Sequence, residues 1–330
     1  MLSQLINIRK DNCMKKVILV VNICILLLGF SEKATAQYYF YDNNSYNNDM
    51  VYEFGGALGI MNSLTDIGGR KGVGKPFLKD LNMGKFQFNG GLYLSATYKE
   101  KIAIRLEGTW GKITATDSVL KDVAASTSGR YERNLNFRSK ISEVSLIAEF
   151  HPLFIFIDWA GRDQDPPRLS PYLAAGIGYF SFNPQTKNRD GKYVDLQPLS
   201  TEGQGYASYP DRAPYKLSQL NIPLGIGIRY ELGNNLNFRA EILHRTTFTD
   251  YIDDVSTRYI DPTLFSTEGG LSGTELRDAI DLSFNNRTNP LGSSGPFRKT
   301  PGGIRGNPKD NDAFFTFNFK LGFTFGRQRY

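Results

Sequence analysis

"LSQLNIPLGIGIRYEL", residues 217–232, separates into two chemically distinct sets when every second residue is taken. One parity holds Leu220, Ile222, Leu224, Ile226, Ile228, Tyr230 and Leu232; the other holds Gln219, Asn221, Pro223, Gly225, Gly227, Arg229 and Glu231. A helical period of 3.6 would mix these sets, whereas a period of two keeps them apart. The stretch therefore predicts a β-strand with one apolar and one polar face.

The same split recurs along the chain. Residues 86–98 oppose Phe86, Phe88, Leu92, Leu94 and Tyr98 to Gln87, Asn89, Ser95 and Thr97. Residues 102–112, 236–248 and 313–326 behave alike, and weaker versions run through 52–61, 141–151 and 171–182. Eight strands result. "KEK" (99–101) and "GNN" (233–235) predict tight hairpin turns. The connections at about 62–85, 113–138, 183–216 and 249–312 are long and polar. Short turns on one rim and long loops on the other predict an all-β fold: an eight-stranded antiparallel transmembrane barrel with long extracellular loops and mostly short periplasmic turns. The connection at about 152–170 is the exception, being long for a periplasmic turn.

A water-soluble, lipocalin-like barrel also alternates, with its apolar face inside. Three features favour the lipid-facing arrangement. Glycines crowd the polar parity (Gly55, Gly59, Gly176, Gly178, Gly225, Gly227), as a narrow lumen requires. The apolar parity ends in aromatics (Tyr98, Trp110, Phe150, Tyr230, Phe248, Phe325), as interfacial girdles do. "FFTFNFKLGFTF" (314–325) would overfill an eight-strand interior but suits lipid.

The N-terminus fits this destination. Residues 1–36 read as a cleaved secretory signal: Lys15 and Lys16 precede an apolar run over 17–30, and "ATA" (34–36) is a small-x-small cleavage site. The run falls short of the roughly 20 residues a spanning helix needs. Both cysteines, Cys13 and Cys24, lie in this segment, which leaves 37–330 without disulfide, thiolate ligand or Cys nucleophile. Of the formal charge of +6, residues 1–36 contribute a surplus of three, leaving about +3. That is too small and dispersed for nucleic-acid binding. The expected organisation is a signal over 1–36, a Tyr/Asn-rich periplasmic leader over 37–51, the barrel over 52–326 and a tail over 327–330. Outer-membrane lipids are the expected surroundings, and no cofactor or metal is expected.

The polar parity is rich in charge: Glu53, Arg105, Glu107, Glu143, Glu149, Arg229, Glu231, Arg239, Glu241 and Lys320. Matching faces across "GNN" pairs Leu232 with Leu236 and sets Arg229 opposite Arg239, with Glu241 and Glu231 on the diagonals. These residues predict an ionic plug in the lumen, against the alternative of a gated channel.

Other motifs are weaker. "GRKGVGKP" (69–76) matches most of a phosphate-binding loop, but Pro76 stands where Ser or Thr should hold Mg²⁺, so no nucleotide is expected. His244 has lipid-facing parity near the outer rim, yet Leu224 is its expected cross-strand neighbour, and no nucleophile accompanies it. "GTELRDAIDL" (273–282) predicts a short helix capped by Thr274.

"YEFGGALGIMNSLTDIGG" (52–69), "PLSTEGQG" (198–205) and "FTDYIDDVSTRY" (248–259) resemble signatures of the Bacteroidetes outer-membrane β-barrel family that includes the type IX secretion protein PorG. The resemblance covers about 50–265 and the last strand. It implies a non-enzymatic accessory barrel that contacts a periplasmic ring of secretion proteins. The alternatives are a surface-binding barrel that uses its long loops and a lipid-modifying enzyme. The aspartates of the third signature lack the ligand spacing and glycine of a calcium loop. Asp250, Tyr251, Asp253, Asp254 and Arg258 instead predict a structured turn at the barrel mouth, with Arg258 as counter-charge.

Overall fold

Hydropathy and pleat coincide along every long strand, and the strands close on themselves. A computed structural model describes residues 49–68, 86–126, 130–157, 159, 167–233, 235–284 and 301–325. The strands are β1 (Met50–Leu64), β2 (Gln87–Tyr98), β3 (Ile102–Thr116), β4 (Asn136–Phe150), β5 (Leu169–Lys187), β6 (Tyr193–Asp195), β7 (Ser218–Gly233), β8 (Leu236–Thr247) and β9 (Ala313–Phe325). Each long strand pairs antiparallel with the next, and β9 returns to β1, so eight strands form a closed barrel. β6 is a short extra strand on the outer end of β5. Closure leaves no open sheet edge, which is what a strand-built wall needs in a medium without water. The signal-like segment 1–36, most of the leader 37–51, the glycine loop 69–76 and the tail 327–330 lie outside the described residues.

The polarity of the wall is inverted relative to a soluble barrel. On β3, Ile102, Ile104, Leu106 and Trp110 are exposed, whereas Arg105, Glu107 and Thr109 are fully buried. Exposed apolar residues come from all eight long strands, among them Phe54, Leu94, Leu106, Leu146, Ile177, Ile226, Ile242 and Leu321. The six aromatics expected as girdles are all exposed. The lipocalin-like orientation is thereby excluded.

The interior is narrow enough to require glycine. A Cβ on Gly227 would stand 2.3 Å from the Tyr172 ring, and one on Gly55 would stand 2.3 Å from the Leu321 carbonyl and 2.7 Å from the Tyr93 ring. The "KEK" hairpin turns with Lys99 and Glu100 at positive φ (48° and 58°), and the Lys101 amide donates to the Tyr98 carbonyl at 3.0 Å. This is the backbone twist that two-residue hairpins favour.

Three expectations need correction. β3, β4 and β5 run to Thr116, from Asn136 and to Lys187, several residues past the expected ends. Towards this rim the inward parity is kept but its polarity inverts: Ile113, Phe137, Ile141, Phe180 and Phe182 point inward into one apolar cluster with Met61 and Phe314. At the 7–8 hairpin, Gly233 rather than Leu232 pairs with Leu236, because a bulge after Glu231 absorbs one residue. The helix near 273 spans Gly273–Phe284, which places Thr274 inside it rather than at its cap.

Candidate functional site: a sealed lumen beneath a folded cap

The polar parity converges on one ionic network. Arg105 on β3 lies 2.9 Å from Glu107, 2.6 Å from Glu241 and in direct contact with Glu149. Lys320 on β9 reaches Glu107 at 2.6 Å and Glu241 at 2.7 Å. Arg239 on β8 holds Glu53 with two nitrogens, at 2.8 and 3.1 Å, and Glu149 with a third, at 2.6 Å. Tyr93 donates to Glu53 at 2.5 Å and Tyr172 donates to Glu241 at 3.0 Å. Towards the short-turn rim Arg229 pairs with Glu100 at 2.5 Å and lies 3.9 Å from Glu231. Towards the long-loop rim Arg245 pairs with Glu143 at 2.9 Å and donates to Thr316 at 2.6 Å. All five cations are at most 2% exposed. Buried charge of this density persists only when it is mutually paired.

The structure places every sequence-predicted lumen residue in the interior but changes the pairing. Arg229 does face Arg239, and Arg239 in turn faces Lys320, so three cations sit side by side on β7, β8 and β9. The expected diagonals Arg229–Glu241 and Arg239–Glu231 are not the ones used. Arg239 instead takes Glu53 from β1 and Glu149 from β4, while Glu241 takes Arg105 and Lys320. In a barrel this narrow the far wall offers partners that a flat sheet does not. Two participants escaped the sequence reading. Glu100, in the "KEK" turn, is buried, and Arg245 lies near the outer end of β8. Its parity with Arg239 and Glu241 was the available signal.

Above the network lies the apolar cluster of Met61, Ile113, Phe180, Phe182 and Phe314, and above that a folded cap. Asp253 and Asp254 are fully buried in it. Asp253 accepts the amides of Ile67 (2.8 Å) and Val255 (3.0 Å), which ties the loop after β1 to the loop after β8. Asp254, at φ 65°, accepts Tyr215 Oη at 2.7 Å and the Thr201 hydroxyl. Tyr251 stacks on Tyr215, with ring centroids 4.7 Å apart. The structured turn is present, but its counter-charge is not Arg258, whose guanidinium donates to the Gly302 carbonyl. Arg305 takes that place, 3.6 Å from the Asp254 carboxylate and bonded to the Asp254 carbonyl at 2.5 Å. Glu202, from "PLSTEGQG", accepts the Ser256 amide (3.0 Å), the Thr257 amide (2.9 Å), the Thr257 hydroxyl (2.7 Å) and Arg305 (2.8 Å). A second apolar core, including Leu199, Tyr259, Ile260, Phe265 and Leu282, holds the outer part of the cap around the 273–284 helix.

The cap concentrates carboxylates. Burial pushes Asp250 up to about 9 and Asp253 up to about 8, with Asp66 adding to both. Burial also raises Asp66 and Asp312, against the opposing pull of Arg133 on Asp66 and Asp253. Folded values above the ordinary carboxylate range near 4 mean that the folded cap binds protons more readily than the opened one. Cap stability is therefore fully present at low pH and falls as pH rises from about 4 through 8–9. Hydrogen-exchange protection over 249–284, taken relative to the intrinsic exchange rate at each pH, is expected to be greater at pH 6 than at pH 9, and Asp250→Asn should flatten that dependence. A profile identical in the two proteins would refute the assignment.

His244 sits opposite Leu224 and Phe315, and at the short-turn rim His151 lies between Ser170 Oγ, 2.9 Å from Nδ1, and the Glu149 carboxylate, 3.5 Å from Nε2.

A family profile described as a domain of unknown function (DUF6089) matches residues 43–261. The span covers β1 to β8 and the aspartate-rich turn, and stops before the 273–284 helix and β9. Among solved structures, the chain is similar to a major outer membrane protein of Thermus thermophilus (12% identity, TM-score 0.37, covering 83% of this chain and 99% of that one). It is also similar to Neisserial surface protein A (8%, 0.36, 83% and 97%). A third similar structure is Ail, the attachment invasion locus protein of Yersinia pestis, in complex with the heparin analogue sucrose octasulfate (9%, 0.33, 83% and 99%). At these scores the barrel assignment rests on the strand pairing itself. No curated protein matches the chain.

Proposed function

The chain belongs to the DUF6089 family; from the inverted wall, and from the resemblance of 52–69, 198–205 and 248–259 to the barrels that include PorG, we propose that it is a non-enzymatic outer-membrane barrel serving as an accessory component of type IX protein secretion. The observation that carries the membrane reading is the pairing of an exposed apolar belt with a lumen closed by buried ion pairs. A wall of that polarity is stable in lipid, and a lumen so filled does not conduct. The barrel then acts through its two rims. The short-turn rim faces the periplasm and contacts the ring proteins of the secretion machinery.

Support for a docking role at that rim comes from the connection after β4. It forms the short helix Pro152–Phe156, whose Phe156 is 83% exposed beyond the end of the strand. An aromatic held out in this way is a natural anchor for a partner. A strain lacking the protein should lose its extracellular cargo while keeping an intact envelope. Complementation with wild type should restore export, and Phe156→Asp should restore insertion but not recovery of the ring proteins by pull-down. Undiminished secretion in the deletion strain would end the reading.

The folded cap favours a second reading, in which the external face recognises a ligand. Replacing 249–284 by a short linker separates the two: export persists if the cap serves only recognition.

A further inference from the structure

The outward wall at the long-loop rim is not uniform around the barrel. On β3 and β4 the first outward positions above the Trp110–Ser142 pair are basic, Lys112 and Lys140; Arg138 follows on β4, and Lys187 lies further along β5, beyond Ser181, Asn183 and Gln185. Lys112 and Lys140 are direct cross-strand partners, one outward step above the Trp110–Ser142 pair. Arg138 lies two residues before Lys140 on the same face and faces Gln185. Next door on β2 the pattern is different. Asn89 pairs with Gly111, and the outward residue that follows at the level of Lys112 is Phe88, 87% exposed. The basic strip therefore ends at the boundary between β2 and β3.

Two of its four members are held in place. The Arg138 guanidinium stacks 3.0 Å from the centroid of the Tyr193 ring, Lys187 Nζ lies 5.2 Å from the same ring, and Arg138 Nε donates to Gln185. Asp195, the acid on this face, is engaged by the amides of Asn183 (3.0 Å) and Gln185 (2.5 Å). Lys112 and Lys140 have no ion-pair partner among the described residues. Like charges directly opposite one another are unfavourable unless an anion lies between them. The strip begins about 7 Å along the strand beyond an exposed tryptophan, on the water side of the aromatic girdle.

We infer that Lys112, Lys140, Arg138 and Lys187 bind the phosphates of an outer-leaflet glycolipid headgroup, whose acyl chains lie against Trp110, Val144 and Tyr179 below. The inference rests on the outer-membrane reading. Two ammonium groups provide mobile point charges, and the stacked guanidinium provides a fixed, planar one.

Full-length protein reconstituted into vesicles tests this. One set contains a diphosphorylated lipid A, and a second contains the same lipid stripped of its phosphates. Lipid retained per barrel is counted by native mass spectrometry after mild extraction. Wild type should prefer the phosphorylated lipid, and Lys112→Gln/Lys140→Gln should lose about fivefold of that preference per lysine. Lys101→Gln, on the opposite rim, should keep it. Equal retention of both lipids, or an unchanged double variant that still inserts, overturns the lipid site and leaves the barrel reading standing. Displacement of the lipid by millimolar inorganic phosphate would show a site for free phosphate and would overturn the headgroup assignment. A wild type that enters no vesicle overturns both readings.

Discussion

Arg105→Leu is expected to lower barrel stability by about 3–5 kcal/mol, the cost of leaving buried carboxylates without their partner. Arg105 touches three acids, Glu107, Glu149 and Glu241, and it is fully buried. Its loss leaves Lys320 to serve Glu107 and Glu241, and Arg239 to serve Glu149 while still holding Glu53. The leucine itself is not the difficulty, since a hydrophobic side chain of similar volume is tolerated where no charge is stranded. The triple variant Arg105→Leu, Glu149→Gln, Glu241→Gln should therefore recover much of the loss. Arg105→Lys should fall between, because one ammonium cannot span three carboxylates set around a guanidinium fork. Urea titration of the folded, heat-resistant form in detergent measures all three. A single variant within about 1 kcal/mol of wild type, the ordinary range of a solvated ion pair, would mean that water reaches the network and that the lumen is open.

Faces were legible in the sequence and partners were not. The alternation in 217–232 marked the strand, its polar side and even the juxtaposition of Arg229 and Arg239. Which acid meets Arg239 depends on how far the strands are staggered around the barrel, and no single hairpin contains that information. Glu53 lies 186 residues away from it in the chain. The strand ends were misjudged for a related reason. On β3 to β5 the wall continues past the apolar belt, where Phe137, Ile141 and Phe182 turn inward and Lys112 and Lys140 outward. A search for one polarity stops where the surroundings of the wall change. The cap was least legible. "PLSTEGQG" and the aspartate-rich turn stood out as signatures, but Glu202 and Arg305 are 103 residues apart and neither carries a local pattern. Arg258, closer in sequence to the aspartates, was the natural but incorrect choice.

Glu202→Ala should open the cap while leaving the barrel closed. The carboxylate is fully buried and accepts four donors: two backbone amides, one hydroxyl and Arg305. Alanine leaves the Ser256 and Thr257 amides without acceptors, at about 1–3 kcal/mol for each buried group. Arg305 keeps the Asp254 carbonyl and its carboxylate, so its own loss is partial. A total near 4 kcal/mol corresponds to an opening equilibrium shifted by about three orders of magnitude. Hydrogen exchange and proteolysis within 249–284 should accelerate by a comparable factor, since both follow the open population when reclosing is fast. Glu202→Gln retains one acceptor but turns a donor towards donors, and should lie between. The eight-strand pairing involves none of these bonds, so the heat-resistant mobility of the barrel is expected to persist. If that mobility is lost together with cap protection, barrel and cap unfold as one unit, and the loops are part of what closes the wall rather than a lid placed upon it.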